Sequence, residues 1–252
     1  MAQSRQPAKR GGNNQVATAE DVKAKLKQDA QDIKERVSAP ETNAIRLKDK
    51  MFTFPDGQVF TDSIEMVIVD FLAWNSYYTE EFNPKDFKPP VCWAAAERLS
   101  DMAPSANAPE PQSDSCSTCW ANEFESGKGN AKACKNQRRL ALLPANSNDP
   151  NSAPMHTMMV PPSSLKKFDA FVNTVARIYE LPPVGVTCTI RMHPESSYTQ
   201  LLFESPQPNE DIAAHYNRLQ EARELISVEP DLSNYEPPKK QTKSRGGQRA
   251  KR

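Results

Sequence analysis

Residues 63–74 read SIEMVIVDFLAW, and the fold turns on how this stretch is taken. It is long, apolar and rich in β-branched side chains, the signature of a strand buried in a sheet. Just upstream, AIRLKDKMFTF (44–54) alternates as a second β run, and Pro55-Asp56-Gly57 supplies the turn chemistry between them. Downstream, further strand signals follow one another: KPPVCWAAA (88–96), RRLALLP (138–144), TMMVP (157–161), VGVTCTIRM (184–192) and YTQLLFE (198–204). Helical periodicity is clearest after Ser163 or Ser164, either of which can cap a helix. Its apolar stripe is Leu165, Phe168, Phe171, Val172, Val175 and Ile178, and Pro182-Pro183 end it. A second, more acidic helix is NEDIAAHYNRLQEARELI (209–226), and a narrower amphipathic pattern (Val22, Leu26, Ile33, Val37) opens at Thr18 and stops at Pro40.

Six or seven strands with two or three helices predict an α+β domain. Strands follow strands without helices between them, which favours a small β-barrel of the oligonucleotide-binding (OB) type over a doubly wound sheet. The expected organisation is a disordered basic N-terminus (1–19), an amphipathic helix (20–38), an OB-like domain (45–226) with a zinc loop at 92–140, and a disordered tail (227–252) that is basic from 239.

Charge is distributed unevenly. The 32 basic and 32 acidic residues cancel over the chain. Residues 1–19 and 239–252, however, hold ten of the basic residues and no acid, leaving 22 basic against 32 acidic residues in the body, a net of −10. Basic ends of this kind touch nucleic acid or other anionic surfaces. No apolar run approaches the roughly 18 residues of a membrane span, and Met1 to Gly12 is polar and basic, so the expected location is cytoplasmic, the host cytoplasm if the protein is viral.

Four of the five cysteines, Cys92, Cys116, Cys119 and Cys134, are spaced C-x23-C-x2-C-x14-C. The C-x2-C pair is a knuckle whose two sulfurs can converge on one ion, and a tetrahedral site needs two more ligands, for which Cys92 and Cys134 are the natural candidates. Four thiolates with no open position describe a structural zinc site; a four-Cys iron–sulfur cluster has similar ligands and stays open as an alternative. Cys188, alone in a strand, reads as a small core residue.

The Cys loop is also where the body turns basic. Lys128, Lys132, Lys135, Arg138 and Arg139 follow one another without an acid between Gly127 and Arg139. Trp120 and Phe124 lie within the loop, and Trp74, Tyr77, Tyr78, Phe82 and Trp93 lie on neighbouring segments. Cations beside aromatic faces are what single-stranded nucleic acid requires, phosphates pairing with the former and bases stacking on the latter. Phe71 and Trp93 are assigned to the core, whereas Trp74, Tyr77, Tyr78 and Trp120 are the surface candidates.

The succession of a PDG turn, VIVDF, N-x-Y-Y, Pro-Pro-x-Cys, SDSCSTCWANEF, GKGNAKACKNQRRLALLP and PPSSLKKF resembles zinc-containing single-stranded DNA-binding proteins of tailed bacteriophages over about residues 45–205. The resemblance implies an OB-type barrel with a zinc insertion, coating single-stranded DNA during phage replication or recombination and meeting the proteins of those processes. The chain departs from the pattern at its end, where an acidic stretch, Glu204 to Glu236, precedes a basic tail rather than closing the chain.

An enzyme is not expected. Only His156, His193 and His215 are available, and G-x-S-x-G, P-loop and H-E-x-x-H motifs are absent from the sequence. His193-Pro194-Glu195 matches the H-x-E of zinc deaminases, but the C-x-x-C precedes it here instead of following. The remaining alternative is an acidic adaptor or inhibitor protein with a structural zinc, which accounts for the acidic body.

Overall fold

A computed structural model describes residues 43–81, 83, 88–235 and 237, together with Lys23, Lys25 and Leu26. The chain divides into residues 1–42 and 43–252, and the second unit carries the fold. Of the helix expected at 20–38, Lys23, Lys25 and Leu26 are helical. The remainder of that helix and the basic ends 1–19 and 239–252 lie outside the described residues.

The unit is α+β. Its strands are β1 (Ala44–Lys48), β2 (Met51–Thr53), β3 (Val59–Phe60), β4 (Ser63–Tyr77), β5 (Cys92–Ala96), β6 (Cys134–Pro144), β7 (His156–Val160), β8 (Val186–Met192) and β9 (Leu201–Pro208). Its helices are α1 (Leu165–Tyr179), α2 (Ile212–Asn217) and α3 (Leu219–Ile226). The strands form one curled sheet in the order β3-β2-β1-β7-β6-β4-β8-β9, with β5 also paired to β4. The β1–β7 pairing is parallel and the other ladders are antiparallel. Among the described residues no ladder joins β3 to β9, so the sheet curls without closing.

The stretch at 63–74 is the axis of this sheet. Along one edge β4 pairs with β6; its other edge is shared, β8 taking residues 63–67 and β5 taking 73–77. Fifteen residues can serve both faces only if the alternation stays in phase with two cores. Ile64, Met66 and Ile68 belong to the core under α1, built with Phe168, Phe171 and Val175. Val67 and Val69 belong to the opposite core, closed by Val184, Ala222 and Ile226. Between Ile68 and Asp70 the register with β6 shifts, and the parity reverses. Phe71 then meets Phe168 edge-on at 5.0 Å while Leu72 joins the other core. A bulge of this kind costs one ladder position and re-aims every later side chain. Asp70 secures it, accepting from the Phe71 amide at 2.8 Å and from Arg223 Nε of α3 at 3.0 Å.

Three local readings of the sequence change. AIRLKDKMFTF is not one strand but a hairpin, turned at Asp49 and Lys50 with φ of 51° and 60°. Neither residue is Gly or Asn, so the turn carries no strong composition signal. The acidic helix is broken at Arg218, whose guanidinium reaches Glu221 and the Ala153 carbonyl. Finally, neither serine caps α1: Ser163 Oγ donates to the Thr199 carbonyl and Ser164 Oγ accepts from the Leu201 amide, tying the helix to β9.

Cys188 is buried in the α1-side core, and burial pushes its thiol from 9.0 to about 12. A raised folded-state pKa means this thiol's contribution is fully present below pH 9 and is lost as pH rises toward 12. Alkaline titration of unfolding should therefore cost the wild type up to about 4 kcal/mol more than Cys188→Ala across that window. Parallel pH dependences in the two proteins would refute this assignment.

Candidate functional site

The site is anchored by Tyr77, the last residue of β4. It pairs with Cys92, the first residue of β5, on one side and with Cys134, the first residue of β6, on the other. Directly opposed residues in a sheet project to the same face, so two thiols flank one tyrosine, with their backbones about 10 Å apart across two strand spacings. The excursion between β5 and β6 folds over them. Within it the Cys116 amide donates to the Met102 carbonyl at 3.0 Å, and Cys119 leads into a 3₁₀ turn, Trp120–Asn122.

All four thiols line one cavity of about 10 Å³, together with Asn75, Tyr77 and Asn122. Each of the four is buried. Burial is the first cause that raises the thiols of Cys92 and Cys116 and pushes Cys134 up to about 12. The neighbouring thiols add to it: Cys134 feels Cys116, Cys119 and Cys92, and Cys116 feels Cys92 and Cys119. Opposing them are hydrogen bonds from the Gln112 backbone to Cys92 and from the Asn75 side chain to Cys116. The sulfurs share a cavity without standing at ligating geometry: among the described residues no three His, Cys, Asp or Glu side chains are grouped closely enough to hold an ion as they stand. The donor chemistry nevertheless suits a soft divalent cation, since four thiols and no carboxylate face the cavity.

The loop behind the knuckle is fixed by side-chain bonds. Asn122 Nδ2 donates to the Cys116 carbonyl at 2.7 Å while its Oδ1 accepts from Lys132 Nζ at 3.1 Å. Ser126 Oγ accepts from the Ala133 amide at 3.0 Å, and Gly127 closes a turn onto the Ala131 carbonyl at 2.9 Å. A Cβ on Gly127 would lie 2.9 Å from the backbone at Lys132 and Ala133, so the close approach needs glycine.

Around this loop the residues expected to bind nucleic acid separate into two groups. Trp120 is 47% exposed and stands edge-on to Tyr77 at 5.6 Å. Phe124 is 77% exposed, with Lys132 Nζ 5.0 Å over its ring. Lys128 reaches Glu81 at 3.4 Å, with both side chains largely in solvent. Tyr78 is partly buried, its phenol raised by that burial, with Lys135 Nζ 5.0 Å over its ring.

Trp74, Arg138 and Arg139 are placed otherwise than expected. Trp74 is only 6% exposed and packs with Trp93 and Ala108. Arg139 covers it at 4.8 Å, desolvated enough to lower its pKa, and donates to the Val228 carbonyl. Arg138 is buried on the opposite face and donates through Nη2 alone to both carboxylate oxygens of Asp169 in α1. Adjacent residues of a strand point to opposite faces, and here both faces are covered.

Phe124, named with Trp120 in the Cys loop but not among the candidate binding residues, is the most exposed aromatic of the loop. Phe82 lies outside the described residues. Residues 227–235, assigned from sequence to the tail, run against the domain: Leu232 packs with the two tryptophans and Tyr235 Oη donates to Glu110 at 2.8 Å. No helix among the described residues is long and apolar enough to cross a membrane. Compared with protein-family models, with curated proteins and with solved structures, the chain matches none.

Proposed function

We propose that this chain is a single-stranded DNA-binding protein without sequence preference, built on an OB-like domain, that protects DNA during phage replication or recombination. The observation that carries the reading is the exposure of Trp120 and Phe124 on a loop that also presents Lys128 and Lys132. Two large aromatics in water are unfavourable for the free protein, and a stacked base removes each from solvent while the lysines meet its phosphates. The long strand β4, shared between β8 and β5 on one edge, is compatible with an OB-type curl.

In this reading Cys92, Cys116, Cys119 and Cys134 hold one structural Zn²⁺, whose role when bound is to cross-link the loop to the sheet. The knuckle spacing and the four thiols in the cavity lining support a structural zinc, and a four-Cys iron–sulfur cluster, which takes the same ligands, is the alternative. The chain's own residues do the recognition: the knuckle fixes Trp120, and Asn122 fixes Lys132. No group for chemistry on the strand is called for, so the protein is proposed to be a binder and not an enzyme.

The test is a salt series of anisotropy titrations with labelled single- and double-stranded oligonucleotides. Preference for the single strand is the expected result; equal affinity for both, or binding to neither, would refute the reading. Deleting 239–252 should flatten the slope of log affinity against log salt, since each released phosphate contact contributes roughly 0.7 to it on single strands, and leave the preference intact. If that preference vanished with the tail, the tail would be the reader.

A second reading, an acidic adaptor or inhibitor of a replication protein, is favoured by the body's net charge of −10 and by the pairing of Lys128 with Glu81. The same titrations separate the two, because an adaptor binds neither oligonucleotide.

A further inference from the structure

The segment after α3 lies over three donors, two of them apart from the four-cysteine cavity and the third, Trp93, also in its lining. Val228 is fixed by Arg139, and the next residue, Glu229, places its carboxylate between Asn107 Nδ2, at 2.7 Å, and Ser105 Oγ. A third donor faces the same carboxylate. Trp93 is 2% exposed and its Nε1 is buried without a full hydrogen bond, yet it stands close enough to Glu229 to help hold that carboxyl below its ordinary range, after Ser105 and Asn107.

The donors are built into the fold independently of Glu229. The Ser105 amide donates to the Trp93 carbonyl at 2.8 Å, Asn107 N to Ser105 Oγ at 3.1 Å, and Ala108 N to the Ser105 carbonyl at 3.0 Å. These are neutral donors on a backbone fixed by its own hydrogen bonds, with the Arg139 guanidinium on the carbonyl of the neighbouring Val228, a donor set that fits an anion. Glu229 itself is exposed, so it can leave without opening the core.

We propose that Ser105, Asn107 and the indole of Trp93 form a phosphate cradle, which Glu229 fills in the free protein and a backbone phosphate of a bound single strand fills in the complex. The cradle rests on the nucleic-acid reading above and deepens it. Among anions, a phosphodiester is favoured by the cation on the same face of the sheet, Lys135 over Tyr78, while Arg139 over Trp74 holds the Val228 carbonyl beside Glu229. A strand seated there replaces a carboxylate that competes with it, so apparent affinity is reduced by the fraction of time Glu229 occupies the cradle.

The experiment compares full-length wild type, Glu229→Ala, Glu229→Gln and Glu229→Ala combined with Asn107→Ala, using labelled oligo(dT) and, separately, a synthetic peptide of residues 227–237. Both single variants should bind oligo(dT) about tenfold more tightly if Glu229 fills the cradle about nine-tenths of the time. Adding Asn107→Ala should cancel most of that gain. Ultraviolet cross-linking of wild type at saturation should join the strand to the peptide spanning Trp93 to Asn107, a readout that depends on no variant. The proposal is overturned by unchanged affinity in both single variants, by a gain that survives Asn107→Ala, or by a peptide that binds Glu229→Ala while oligo(dT) binding stays at the wild-type level, which would make this a peptide site. Failure of the cradle alone leaves wild-type binding sensitive to Trp120→Ala; no binding by wild type would end both readings together.

Discussion

Removing the metal is expected to unfold the region between β5 and β6 while α1 and its core remain. Purified protein should carry one zinc per chain, and Cys119→Ser or a strong chelator should release it. The expectation follows from what the excursion lacks: residues 97–133 include no strand and contribute only small satellite clusters of buried side chains, such as Met102 with Ala73 and Ala94. Such a segment cannot offset its chain entropy by burial alone. Zinc supplies roughly 10–16 kcal/mol of apparent binding free energy in small four-ligand domains, and that binding energy is folding energy. Without it, the thiols of Cys92, Cys116 and Cys134, pushed up by burial and by their thiol neighbours, remain as neutral, weakly packed groups. Hydrogen exchange should show the loss of protection confined to about 92–134, and Cys188→Ser should leave metal content unchanged. Stoichiometric zinc that survives loss of Cys119, or a metal-free protein with the same exchange pattern and melting temperature, would refute the centre.

The second large effect concerns the loop aromatics. Trp120→Ala combined with Phe124→Ala should weaken single-strand binding by about 2–6 kcal/mol, since each stacked base contributes roughly 1–3 kcal/mol. Adding Lys128→Gln and Lys132→Gln should then flatten the salt slope. These side chains are exposed or half-exposed, so far-ultraviolet dichroism and melting should change little. Trp74→Ala makes the opposite control. Its ring is buried beneath Arg139, and its loss should cost roughly 3–5 kcal/mol of stability, the usual range for a large core aromatic. Oligonucleotide affinity that persists in the quadruple variant would leave the adaptor reading in possession.

Both the sheet and the meeting of four cysteines at one cavity were open to sequence reading because their signals are local or stoichiometric. β4 announces itself by β-branched residues, and four thiols in a polar segment have few other uses. What escaped was decided at long range. The exposure of Trp74 depends on Leu232 and on an Arg139 pinned by Val228, contacts that no window of sequence contains. The paired arginines 138 and 139 carried a warning that charge counting ignores: successive strand residues face opposite ways, so both are free only if neither face is covered. The hairpin at Asp49-Lys50 was hidden for a different reason, since its two left-handed residues lack the glycine or asparagine that usually marks such a turn.

The bulge in β4 reaches further than the packing of two cores. Because Tyr77 meets Cys92 on one side and Cys134 on the other, the thiols come together only when β4, β5 and β6 are paired in a single register beyond that irregularity. The knuckle alone, two sulfurs on a loop, is half a site. If the four thiols hold a metal as proposed, its capture requires the closure of contacts some 15 to 57 residues apart in the chain. A one-residue deletion at Val69 would leave Tyr77 opposite Cys134, whereas a one-residue slip of β4 against β6 would send Tyr77 to the face away from that thiol. Under the proposed zinc reading, metal content would then report strand alignment in any variant.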